Sequence, residues 1–415
     1  MRRTLILAFV ALVLVGIIAF FAFLLQSPAD DTLQPEESRG GLGSLFPFNF
    51  GAGPDPEQGG EGEGSLFVDD RPVPVLREVS SEPTVGGYVY LDEEDAVMIR
   101  YIDRATGHVF EANTDNLSSV RISNTTIPEI QHVLFIDENT FIIQYLNENE
   151  AVENFYIELE PGAEEQSIQG DFLRGWARGS VDTKNGTVFT VEEVPGGSAV
   201  RIADADGTGE RLLLQSPVRS WVPLQSESSL YVHEAPSSGA LGSLFEIVSG
   251  ELRTVVRGVE GMVAVVSPSG RYALISGGER NNLTLTLFDL NTGERHGGIF
   301  ETIATKCVFV SETPVQVICG APNEVPSAEY PNDWLLGRVQ FDDDVWLIEP
   351  TNNVATLIAV PRDDVGRAID VWKPMVDPTG TYLSFINKRD LSFWTLRLQP
   401  EEPAVSTENA EEASE

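Results

Sequence analysis

The chain has 415 residues, two cysteines, four histidines and a net charge of −37. So acidic a surface repels phosphate backbones and excludes nucleic acid as a partner. The apolar content is ordinary for a globular protein and sufficient for a sizeable core.

Residues 5–25 form an unbroken apolar run of 21 residues. As a helix it spans the roughly 30 Å hydrocarbon core of a bilayer. Arg2 and Arg3 precede it; Asp30, Asp31, Glu36 and Glu37 follow it. The positive-inside bias predicts a single-pass anchor in the cytoplasmic membrane, with Met1 inside and the rest of the protein outside. The run exceeds the apolar region of a cleaved signal peptide. Ser27-Pro28-Ala29 nonetheless offers a small-residue cleavage site, so removal of the anchor stays open. The expected organisation is an anchor (1–26), an acidic Gly/Pro-rich linker (27–72), one folded domain (73–398) and an acidic tail (399–415).

The linker carries ten acids against Arg39 and Arg71. Such a segment buries too little surface to offset its ordering entropy. Within it, Leu45-Phe46-Pro47-Phe48-Asn49-Phe50 is an apolar cluster, read either as a docking motif or as an incidental patch. The tail carries six acids and no base.

From residue 73 the pattern becomes short β-branched and aromatic runs separated by Gly, Pro, Asn and Asp, which predicts an all-β domain. Val266-Ser267-Pro268-Ser269-Gly270-Arg271-Tyr272 and Val376-Asp377-Pro378-Thr379-Gly380-Thr381-Tyr382 are two copies of a strand–turn–strand unit. Weaker copies begin near Leu91, Phe135, Val181, Leu224 and Val310. The seven starts lie 42 to 46 residues apart, except the last interval of 66. Four strands at that period are the signature of a β-propeller, here with seven blades. After the third strand of the last blade only Pro400 and the tail remain. Residues 73–79 are therefore predicted to supply that blade's outer strand and close the ring, removing an open edge.

Cys307 and Cys319 flank a predicted hairpin centred on residue 313. Facing residues there come close enough for a disulfide, which persists outside the cytoplasm. Two buried thiols are the alternative. The long last interval places an insertion at 320–341, on one rim of the propeller. Its Tyr330, Trp334, Leu335 and Leu336 are candidate partner-binding residues, because apolar side chains exposed on a loop make binding hot spots. The alternative is a loop folded onto its own blade, with Trp334 capping the core.

No catalytic set emerges. His108, His132, His233 and His296 share no ligand spacing and read as surface or strand-edge residues. Neither a nucleophile elbow nor a Lys-bearing phosphate loop occurs. Asp204-Ala205-Asp206-Gly207 reads as a hairpin turn, since the later carboxylates of a calcium loop are missing. Asp342-Asp343-Asp344 is a candidate for a hard cation at the rim. Trp176, Trp221, Trp346, Trp372 and Trp394 read as packing between blades. The Asn-x-Ser/Thr sequences at Asn116, Asn124, Asn185 and Asn282 are expected by chance.

The Pro-x-Gly-x-Tyr unit followed by an Asp-x-x-Thr-Gly or Asp-Ala-Asp-Gly-Thr turn resembles the WD40-like repeats of TolB-type propellers, loosely, over most of residues 73–398. The run 97–128, with Arg-Ala-Thr-Gly-His and Ile-Ser-Asn-Thr-Thr-Ile-Pro, is similar to membrane-anchored bacterial propeller proteins without an established activity. The resemblance implies a scaffold that binds partner proteins, without catalysis; with the domain outside the membrane, the expected partner is an envelope protein or a surface polymer, and no cofactor is expected. A channel-centred hydrolase or lyase, and a structural cell-surface component, are the rival expectations.

Overall fold

The computed structural model describes residues 76–398, apart from 161, 163, 164, 279–282 and 299. The expected anchor, linker and tail, residues 73–75 of the closing strand, and Asn282 lie outside the described residues. Among the described residues no helix is long and apolar enough to cross a membrane.

Seven four-stranded antiparallel sheets follow one another. β1 (Leu76–Ser80) comes first in the chain but belongs to the last sheet. Blade 1 is β2 (Thr84–Leu91), β3 (Val97–Asp103), β4 (Val109–Asn113) and β5 (Ser119–Arg121). Blade 2 is β6 (Ile130–Phe135), β7 (Thr140–Leu146), β8 (Val152–Glu158) and β9 (Gly170–Phe172). Blade 3 is β10 (Arg178–Asp182), β11 (Thr187–Val194), β12 (Gly197–Asp204) and β13 (Arg211–Ser216). Blade 4 is β14 (Trp221–Gln225), β15 (Leu230–Glu234), β16 (Leu241–Val248) and β17 (Glu251–Glu260). Blade 5 is β18 (Val263–Val266), β19 (Tyr272–Gly277), β20 (Thr284–Asp289) and β21 (Arg295–Gly297). Blade 6 is β22 (Cys307–Glu312), β23 (Val315–Pro322), β24 (Asp343–Glu349) and β25 (Val354–Ala359). Blade 7 is β26 (Val371–Val376), β27 (Tyr382–Asn387), β28 (Phe393–Arg397) and, as its outer strand, β1. The strand order confirms both the seven blades and the ring closure expected from the sequence.

First strands of neighbouring blades pack against one another around the ring. A 3-10 turn at Ala304–Lys306 completes the step between β18 and β22. Second strands lie between neighbouring sheets, so β19 and β27 are buried along their whole length. The repeated turn explains itself locally. Gly270 and Gly380 take φ of 76° and 72°, which glycine adopts without strain. The Asp377 carboxylate accepts hydrogen bonds from the backbone N–H of Thr379 and Tyr382, and the Ser267 hydroxyl accepts that of Tyr272. Tyrosine at the start of a second strand then ties blades together: Tyr231 Oη donates to Gly270 O at 2.8 Å. Closure is carried by Leu76, buried opposite Leu396, and by Arg77, which donates to the carbonyls of Thr114 and Asp115 in blade 1.

Cys307 and Cys319 face each other in the ladder, with Cα atoms 4.1 Å apart, and are joined as a disulfide. A bulge between Phe309 and Ser311 makes this register possible. Near the turn Glu312 faces Val315; the extra residue Val310 shifts the ladder so that the cysteines meet.

Candidate functional site

In an antiparallel blade, the loops leading into first strands and those joining second to third strands emerge on the same face. The segment between β23 and β24 is by far the longest of the latter. It carries a single helical turn, α1 (Asn332–Leu335), and reaches across several blades. Toward blade 4, Ser238 Oγ donates to Glu329 O at 3.0 Å, and Asn332 Oδ1 accepts from Ser238 N at 3.1 Å. Gly261, at φ 63° before β18, lies under it: a Cβ there would stand 3.0 Å from Tyr330 O and Pro331 Cδ. Toward blade 7, Lys388 Nζ donates to Trp334 O at 2.7 Å, and Arg389 donates to Phe341 O at 3.1 Å.

The base of the insertion is a buried polar cluster. Lys306, from the 3-10 turn, pairs with Asp343 at 2.6 Å and with Asp370, and all three side chains are out of solvent. The Asp370 carboxylate also accepts Trp334 Nε1 at 3.0 and 3.1 Å and the Phe341 N–H at 3.0 Å. The Lys306 ammonium stands 5.3 Å from the Trp334 ring and 4.8 Å from that of Phe341. Two carboxylates against one ammonium leave excess negative charge. Burial, opposed by Lys306 and reinforced by Asp370, raises the pKa of Asp343 above the ordinary range. Half-buried Lys388 is lowered, chiefly by burial, with Asp370 opposing and Lys306 adding.

The four candidate residues divide. Trp334 is fully buried and forms part of the core shared by blades 5 and 6. Tyr330 is partly buried: its hydroxyl donates to Pro326 O at 2.6 Å, and its ring lies 5.6 Å from Phe341. The expectation that these two rings are exposed is corrected, because each finds a partner for its polar atom inside. Leu335 and Leu336 point outward, 46% and 64% exposed.

The acidic triplet does not converge on one point. Asp342 pairs with Arg362, Asp343 is buried on Lys306, and Asp344 accepts from Asn323 at 2.7 Å. The cation reading is therefore withdrawn: alternation along a strand sends neighbouring acids to different surroundings. Among the described residues no group of three or more His, Cys, Asp or Glu is arranged to hold a metal ion. The 204–207 segment is a hairpin turn, with Gly207 N donating to Asp204 O at 2.9 Å. The surface or strand-edge reading fails for His233, on an inner strand of its sheet, whereas His132 is partly exposed on the edge strand β6. His233 is buried, and burial pulls its pKa down to about 4; His132 is pulled down to about 3 by burial and by Lys373. Lys306, Asp370 and Lys373 were not singled out from the sequence. The available signal was scarcity, since the chain has only four lysines and two of these three residues are among them.

No family model matches the chain. No curated protein matches it in sequence. Among solved structures it is similar to an oligogalacturonate lyase in complex with manganese, at 10% identity and a TM-score of 0.48, over 76% of this chain and 97% of that one. It is similar to YCF48 bound to a D1 peptide, at 12% identity and a TM-score of 0.47, over 80% and 99%. It is similar to TolB from Acinetobacter baumannii, at 8% identity and a TM-score of 0.41, over 76% and 80%. Likenesses of this degree assign neither activity nor partner; the seven-bladed propeller rests on the sheets described above.

Proposed function

We propose that this propeller is a scaffold held at the outer side of the cytoplasmic membrane by residues 5–25, and that it binds an envelope protein through its insertion face. One observation carries the binding reading. Leu335 and Leu336 stand exposed on a turn whose base is fixed by Lys306, Asp343, Asp370 and Trp334. Apolar side chains on a rigid mount lose little freedom when a partner covers them, so burying them yields net affinity. The length of the apolar run and the arginines before it support the tether.

The test is affinity purification of the full-length protein from membranes, compared with a Leu335→Asp/Leu336→Asp variant. One envelope protein is expected to co-purify with the parent and to fall about tenfold with the variant, the cost of roughly 1.4 kcal/mol of lost binding. An unchanged set of co-purifying proteins at an unchanged melting temperature sinks the reading. Retention of the full-length chain, but not of one lacking residues 1–26, in carbonate-washed membranes tests the tether separately.

A further inference from the structure

Among the described residues, Lys373 is the one non-glycine residue that takes a positive φ inside a strand. Among the described residues, non-glycine positive φ occurs at nine positions, and eight fall in turns or between strands. Lys373, at φ 51°, lies inside β26. It also precedes Pro374, a position from which helical backbone angles are disfavoured. The ladder to β27 is interrupted there: Trp372 faces Ile386 and the next pair is Met375 with Ser384. Two residues of β26 thus stand against one of β27, which is a bulge. Bulges re-aim side chains, and strained residues persist where surrounding structure or a bound group over-determines them.

The bulge sends the Lys373 side chain away from its own sheet. Nζ donates to Val85 O of β2 at 2.9 Å and stands 4.6 Å from the centroid of the Trp372 ring. The groups that act on it are unusual for so acidic a chain. Burial first, and then Arg104 in the loop between β3 and β4, lower its pKa to about 8. Lys373 in turn depresses His132 on β6. The Arg104 backbone N–H donates to Pro83 O at 2.8 Å, and a Cβ on Gly86 would stand 2.5 Å from Val133, the neighbour of His132; with Lys373 on Val85 O, basic residues from blades 7, 1 and 2 thus gather around the start of β2. Among the described residues no carboxylate pairs with any of them, whereas Arg121, Arg174, Lys184, Arg271 and Arg367 each have an acidic partner. A sheltered ammonium with no counter-charge is unfavourable, and one of its three N–H groups is already spent on Val85. β6 and β26 are first strands near their beginnings, and Arg104 sits in a second-to-third-strand loop. The group accordingly lies on the same face as the insertion.

We propose that Lys373, Arg104 and His132 form a binding site for a single oxyanion of a ligand, a carboxylate or a phosphate. Lys373 would supply two N–H groups and the main charge. Arg104, exposed beside it, would supply a planar fork suited to either anion. Neutral His132 would donate one N–H. The bound anion provides the missing counter-charge and offsets the strain at residue 373.

The chain has only four lysines, so amine labelling reads the site directly. The full-length protein is acetylated at pH 8 at constant ionic strength in chloride, with inorganic phosphate or N-acetylglycine added, and the rate at each lysine is followed by mass spectrometry. Protection of Lys373 by about tenfold, with exposed Lys184 unchanged, supports the site; whichever anion protects identifies the ligand chemistry. Arg104→Gln should raise the half-protecting concentration several-fold. Lys373→Gly, which takes a φ of 51° without strain, should melt no lower than the parent and show no anion-dependent rise in melting temperature. Equal protection of Lys184 and Lys373, no protection by either anion, or an anion-dependent rise that survives in Lys373→Gly would each overturn the proposal.

Discussion

Lys306 Nζ stands 2.6 Å from Asp343 Oδ2 with both side chains at zero exposure, 37 residues apart in sequence and on opposite sides of the disulfide hairpin. This pair and Asp370 join the approach to blade 6, the start of its third strand and the approach to blade 7. Removing one partner of a buried pair strands a charge, at a cost of about 3–5 kcal/mol. Lys306→Met should therefore lower the denaturation midpoint sharply, while Asp343→Asn, which removes excess negative charge, should be close to neutral at pH 8. The two midpoints in urea check this, and a harmless Lys306→Met would contradict it.

The Cys307–Cys319 bridge closes a loop of sequence separation 12. Chain-entropy arguments give about 2–3 kcal/mol for a loop of this size. The Cys307→Ala/Cys319→Ala variant should lose about that much stability, and the parent should lose the same on reduction. Thermal melts with and without reductant measure it.

Ring closure rests on five residues of β1. Leu76 is buried against blade 7, so Leu76→Ala should cost about 2–4 kcal/mol. Deleting 76–80 should do more, because it exposes the edge of β28. Lower melting temperature together with concentration-dependent association is the expected result; an unaltered melt would show that the ring does not depend on β1.

Burial holds His233 near a pKa of about 4, against an ordinary 6.5. The folded state therefore binds fewer protons than the unfolded state between those values, and stability rises with pH across that window. Falling from pH 7 to 5 should cost on the order of 2 kcal/mol through this residue. His132, lowered for the same reason, acts in the same direction. Asp343 acts oppositely, since its raised pKa favours the folded state at low pH and loses that advantage as pH rises. His233→Gln should flatten the pH dependence of unfolding between 5 and 7. Equal slopes in parent and variant would contradict this assignment.

The blade count, the hairpin turns, the facing cysteines and the closing strand were legible in the sequence because each depends on local chemistry. Pro-x-Gly turns, alternating strands and a missing fourth strand require no knowledge of distant residues. The interior of the insertion was not legible. Trp334 turns inward because Asp370, 36 residues away, accepts its indole N–H, and Lys306 is held by Asp370 across 64 residues. His233 was misjudged because it lies on an inner strand that the neighbouring blades cover on both faces. The bulge at Lys373 is likewise a product of packing around β26; the sequence shows only a lysine before a proline.

Photocrosslinking in intact cells, from a probe placed in turn at positions 335, 336 and 354 of the full-length protein, separates the two faces of the propeller. Val354 is 48% exposed and follows a third-to-fourth-strand turn, on the face opposite the insertion. A scaffold that docks through its insertion face gives one protein adduct shared by 335 and 336 and absent from 354. Adducts from 354 alone, or the same adducts from all three positions, would place the partner elsewhere.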